Sequence, residues 1–286
     1  MSRFDIAVLL ALAAAVCIAI GDANQQRAAQ HLADPDSDRV AVLLGLLRDR
    51  GWWLGSVVAI AGFALQAAAL SFGSVVLVQA LLVTSLLFAL PFGAWLAHRR
   101  VPAREWVWAA VLAAAVAVVV VVGNPTEGAA RASFEAWLPA VVVLGPLFAV
   151  GLLAVAATRG SARAALLGVL AGGLWGVFAL LTKGVVAAGM DGPGALLRCG
   201  ELYALIAVSL AGLTLQQLSF HAGPLTAALP GAAVAEPVVG AALGIVVLGE
   251  SVHPGRSGGV LLGAAVAMMV VATLALARHE GTPAAD

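Results

Sequence analysis

The acid most out of place in this chain is Glu236. It stands in Ala235-Glu236-Pro237-Val238, twelve residues from either end of the apolar run Pro224–Leu248, too deep to reach water by snorkelling. An ionised carboxylate at such a depth costs at least about 2.5–3.5 kcal/mol on insertion scales, so acids within a membrane are functional by default. It can carry a proton or a cation; the plainer alternative is a structural carboxylate bonded to a neighbouring helix. Pro237 strips the carbonyl four residues earlier of its helical donor, one way in which backbone oxygen is offered to a ligand. Lys183, the sole lysine, lies five residues from the end of the run Ala165–Ala188, or roughly 7.5 Å by helical rise. It can snorkel to the interface, or pair with Glu236 or a substrate anion. Gln66 and Gln216 occupy corresponding places in two other runs, with Gln217 beside the second. Their amides are expected either to join helices or to touch a ligand. Gln79, with Thr84 and Ser85, can line the same cavity, and Trp175, alone among the tryptophans in lying mid-run, must face a helix or a cavity.

These residues need helices that cross a bilayer. The chain has 286 residues, 62% hydrophobic and 10% charged, whereas soluble domains sit near about 45–50% and 25%. A crossing takes about 20 apolar residues, and nine runs qualify: Phe4–Gln25, Trp52–Phe72, Ser74–Ala97, Trp106–Gly123, Ala136–Ala156, Ala165–Ala188, Gly200–Phe220, Pro224–Leu248 and Gly258–Ala277. The predicted fold class is therefore an all-α polytopic membrane protein of nine transmembrane helices, or ten if Val40–Leu47 also crosses. That segment is too short to span and reads as an interfacial helix. The first run is read as a retained span rather than a signal peptide, because a polar cluster from Asp22 to Arg27 follows it where a small-residue cleavage site would stand. Six of seven tryptophans fall at run ends, where aromatic belts lie. With nine crossings, ten arginines fall on one face and Arg3, Arg131, Arg198 and Arg256 on the other. The positive-inside rule then puts the C-terminus in the cytoplasm and the chain in the inner or plasma membrane.

The balance of 15 basic and 15 acidic residues lacks the basic excess of a nucleic-acid binder. Two cysteines build no disulfide framework. Phosphate-loop, His-Glu-x-x-His and nucleophile-elbow patterns do not occur, and the five histidines are scattered through loops and ends. The reading is not an enzyme, with no cofactor and no metal site expected.

Self-comparison shows an ordered set of weak matches. Ala61-Gly62-x-x-Leu65-Gln66 recurs as Ala211-Gly212-x-x-Leu215-Gln216, Leu70-Ser71-Phe72 as Leu218-Ser219-Phe220, and Pro102-Ala103-Arg104 as Pro254-Gly255-Arg256. Spans 1 to 4 thus pair with spans 6 to 9, five crossings apart, so each pair runs in opposite directions. That predicts an inverted-topology repeat of four-helix halves: residues 1–123, a central helix and linkers over 124–160, a second half over 161–278, and a short tail over 279–286. Such repeats set a substrate site near the midplane and work by alternating access. Gly168-x-x-x-Gly172-x-x-x-Gly176, Gly240-x-x-x-Gly244 and Gly259-x-x-x-Gly263 give smooth faces. These are expected to pack within one copy, with a homodimer as the alternative.

The repeated unit, with Gly249-Glu250 before Pro254 and Arg256 and with Ala235-Glu236-Pro237-Val238-Val239, resembles the drug/metabolite transporter superfamily and its EamA-like members. The first half departs from the pattern, with His98-Arg99-Arg100 where Gly-Glu would stand. Nine spans and Leu181-Thr182-Lys183-Gly184 look more like the NIPA-like magnesium transporter branch. The resemblance implies secondary-active movement of a small organic solute or metabolite, with proton coupling through Glu236, or alternatively of a divalent cation. The partners it implies are a small-molecule substrate and the lipid bilayer.

Overall fold

The computed structural model describes residues 2–32, 50–96, 101–223 and 225–280, and among them helices account for almost everything. In order these are α1 (Arg3–Leu32), α2 (Arg50–Phe72), α3 (Val75–Leu82), α4 (Ser85–Leu96), α5 (Ala103–Gly123), α6 (Phe134–Ala157), α7 (Gly160–Met190), α8 (Pro193–Arg198), α9 (Gly200–Ala222), α10 (Leu225–Leu248) and α11 (Gly255–Glu280). Among the described residues nine stretches are long and apolar enough to span a bilayer, and they coincide with the nine expected runs. The segment Val40–Leu47 lies outside the described residues. The only β pairing among the described residues is a bridge between Thr126 and Ser251, in two interhelical loops.

Ends are set by local chemistry. Ser74 caps α3, its hydroxyl accepting from Leu77 N at 3.1 Å, and Ser133 does the same for α6 through Ala136 N. Each satisfies an orphan donor of a first turn. Asn124 at φ 39° ends α5, and Gly249 at φ 67° follows α10, the left-handed position that closes a helix.

The third run departs from a single continuous helix. It splits at Val83–Thr84 into α3 and α4. The Thr84 hydroxyl takes Leu81 O at 2.6 Å, Thr84 N donates to the same carbonyl at 3.0 Å, and Leu87 N turns to Thr84 O at 2.9 Å. A threonine hydroxyl competing for a helical carbonyl is a local route to such a break.

Small residues let the helices approach. Any Cβ at Gly168, Gly172 or Gly176 of α7 would strike the carbonyl oxygens of Ala228, Ala232 and Glu236 of α10 in turn, so α7 and α10 lie parallel in backbone contact over three turns. Gly21 against Ala59 and Gly62 against Ile18 bring α1 onto α2. In lipid, where burying apolar surface gains little, this close backbone packing and its hydrogen bonds hold the bundle together. Gly168, Gly172, Gly176, Gly240 and Gly244 all pack inside one copy, as expected, whereas nothing stands within 4 Å of a Cβ at Gly259 or Gly263. The helix α6 is among the most exposed, with Val142, Leu147 and Leu153 open to the surroundings.

Candidate functional site

The site is read from two registers along α10. Against α3 it runs antiparallel: a Cβ at Gly244 would meet Val75 Cβ at 3.3 Å, and one at Gly240 would meet the Gln79 amide. One further turn brings Glu236 level with Val83–Thr84, the break in the third span. Against α7, a Cβ at Gly176 would meet Glu236 O at 2.7 Å. The deep acid, its proline and the split helix therefore share one layer of the bundle. Thr84 and Glu236 also stand 152 residues apart, inside the range of separations that relates the two halves of the sequence.

Gln79 occupies the next layer, about 6 Å along α10 by helical rise. It is only 1% exposed, and both its amide atoms lack a hydrogen-bond partner among the described residues. Such an orphaned amide costs about 1–3 kcal/mol, so this residue is not there to stabilise this arrangement.

The layer after that holds the densest polar contact. Lys183 neither snorkels nor reaches Glu236. It is buried at 5% exposure, and its ammonium donates to Glu250 Oε1 and to Gly73 O, both at 3.0 Å. Glu250 accepts at the same time from Val75 N at 2.7 Å and Val76 N at 2.9 Å, the first free donors of α3. A carboxylate at a helix N-terminus gains from both the unpaired N–H groups and the macrodipole. Lys183 thus takes as partner Glu250, a member of the Gly249-Glu250 turn motif, and none of the three expected fates of snorkelling, Glu236 or a substrate anion. Its only signal was that a lone lysine in a span needs a counter-ion. No spacing links residues 67 positions apart.

Around this pair the loops close. Thr126 bridges to Ser251, with N to O at 2.9 Å and hydroxyl to hydroxyl at 2.8 Å, His253 N donates to Gly123 O, and Ala129 N donates to Leu248 O. Arg131 grips Glu201 through two nitrogens at 3.1 and 2.9 Å. The Glu201 carboxylate raises the Arg131 guanidinium above its ordinary value. All eight residues of α3 are buried. Toward the opposite end α10 is only partly buried from Gly231 to Pro237, and among the described residues a Cβ at Gly93 of α4 would meet nothing within 4 Å.

The remaining expected residues gather elsewhere. Trp175 donates its indole N–H to Gln216 Oε1 at 3.1 Å and stacks on Phe63 at 6.0 Å with Phe178 edge-on, so it faces α9 and α2. Gln66 is buried on the stripe of α2 that includes Gly55, Ala59 and Gly62 and packs on α1. Gln217 lies on the exposed side of α9. The two matched glutamines thus sit in different helix-pair seams, Gln66 between α1 and α2 and Gln216 between α7 and α9.

Fold and site define an α-helical, multi-pass integral membrane protein with a polar axis through its centre. The chain is 36% identical over 281 residues to an uncharacterized protein of Corynebacterium glutamicum, covering 98% of this chain and 97% of that one, and it belongs to the same family. No family model and no solved structure matches it.

Proposed function

We propose that the protein is a secondary-active transporter of a small organic solute, of the drug/metabolite transporter kind, working by alternating access between two inverted halves. The observation that carries this reading is the layered axis: a split helix level with Glu236, closed over at one end by a buried ion pair and half uncovered toward the other. Discontinuous helices at mid-membrane depth leave backbone groups free for substrate, and an intramembrane acid beside them supplies charge or a proton. The arginine distribution puts the Glu250 end outside, so the form described would be closed to the exterior and would open toward the cytoplasm. The second reading, a NIPA-like magnesium carrier, is disfavoured by Glu250. Mg²⁺ favours carboxylates with retained waters, and the oxygens of Glu250 already serve Lys183 and two backbone donors.

The test is flux into liposomes carrying the purified full chain. Magnesium and a panel of labelled amines, amino acids and sugars are offered with and without an imposed pH gradient, for wild type and Glu236→Gln. The expected outcome is gradient-dependent movement of an organic solute that Glu236→Gln reduces by about 100-fold or more, the scale of losing a charged contact made in the dry interior. Magnesium flux that vanishes in the mutant would replace this reading by the second. No flux of any solute would sink both.

A further inference from the structure

We propose that the contact among Lys183, Glu250 and the first turn of α3 is the outer gate of the transport cycle, and that Glu250 works in it as a helix cap as much as a counter-ion. The inference rests on the transporter reading of the preceding subsection and names the group whose release would open the exterior.

Three observations converge. The contact is an ion pair buried on both sides, and it joins parts that alternating access must separate. Lys183 stands on α7, Glu250 on the turn ahead of α11, and their other partners, Gly73 O, Val75 N and Val76 N, belong to the turn after α2 and the first turn of α3. One carboxylate therefore fixes the second half of the chain to the first. Secondly, its placement is terminal along the axis. It lies two turns of α10 beyond Glu236, about 12 Å by helical rise, so the way from Glu236 to that face runs through it. Thirdly, the layer beneath is not at rest. Gln79 is pressed against Gly240 with both amide atoms unpaired. Parting α3 from α10 would hydrate that amide at the moment the ion pair is lost. The closed form thus combines a strong fastening with a buried group that is better off when the seam opens, which is what a two-state element requires.

The capping role separates this proposal from a simple attraction of opposite charges. A lysine at position 250 cannot accept from Val75 N and Val76 N, and it would set a cation on the positive end of α3. Exchanging the two charges should therefore leave the gate loose.

The test reads the gate directly. Val75→Cys places a thiol in the α3–α10 seam, at a site now fully buried, in a chain whose Cys17 and Cys199 are replaced by serine. A membrane-impermeant cationic methanethiosulfonate is added outside right-side-out vesicles. With the gate intact the thiol reacts slowly. Glu250→Gln and, independently, Lys183→Met should speed labelling about 10- to 100-fold, the weight of a charge-assisted hydrogen bond. Lys183→Met leaves both backbone donors on Glu250 and carries the test if Glu250→Gln does not fold. The double exchange Lys183→Glu with Glu250→Lys should label as fast as the single variants. Unchanged labelling in folded single variants would overturn the gate, and slow labelling in the exchanged pair would overturn the capping role. Faster labelling in a protein that moves neither magnesium nor any organic solute would uphold the contact as a movable closure and sink the transporter reading instead.

Discussion

Glu236 and Glu250 show how two carboxylates in one bundle take different work. Glu250 is surrounded by donors: an ammonium and two N–H groups, all within 3.0 Å. Fully partnered charge of this kind holds structure in place, and removing one partner strands the other. Glu236 lies beside a broken helix and a proline, in a half-covered layer, and the proposed transport assigns substrate contact to that layer. Gln79 is the third case, a polar group held without a partner. Replacing it with an apolar residue of like size, Gln79→Met, should raise the stability of the purified protein by about 1–3 kcal/mol, measured as a higher midpoint of thermal or denaturant unfolding. If it also slows transport, the amide serves the open form. An unchanged or lowered midpoint would mean that the amide is not orphaned.

At the scale of elements, glycine decides which helices may touch. Gly168, Gly172 and Gly176 of α7 and Gly240 and Gly244 of α10 are consumed in seams within the molecule, and at Gly172 the obstacle to a side chain is the backbone of Ala232, which cannot rotate away. Gly172→Leu should therefore cost at least about 1–3 kcal/mol, the scale of an overpacked core, and show as loss of the monodisperse peak in size-exclusion chromatography. Gly263→Leu, on an open face of α11, should stay within about 0.5 kcal/mol of wild type. A severe loss at Gly263 instead would point to a second copy seated on that face. The split of the third span is the other event at this scale. There the chain changes from helical bonding to the tighter bonds Thr84 N to Leu81 O, Leu86 N to Val83 O and Leu87 N to Thr84 O, so the bend falls at the level of Glu236.

For the whole molecule, the open question is which end faces which side. The polar closure at Glu250, the loop bridge at Thr126 and the Arg131–Glu201 pair all lie at one end of the bundle. Most arginines fall at the other by the alternation of spans. A reporter fused after Asp286 should fluoresce as green fluorescent protein and give no alkaline phosphatase activity, since the first folds in the cytoplasm and the second only outside it. The reverse pattern would put the Glu250 end in the cytoplasm while leaving the internal geometry intact.

The sequence by itself determined what the solvent imposes. Runs of about 20 apolar residues have no alternative to spanning helices in a bilayer, and all nine expected runs reappear among the described residues. The small residues that allow close crossings were legible as well, because a missing Cβ acts wherever the partner comes from. What only the tertiary structure decided is pairing. Lys183 meets Glu250 and not Glu236, Trp175 meets Gln216 and Phe63, and Gln79 meets a bare glycine. Each depends on which helices become neighbours and on their vertical register. A span's composition fixes its depth in the membrane but leaves its rotation and its partners open, so long-range side-chain contacts cannot be read from any one stretch of chain.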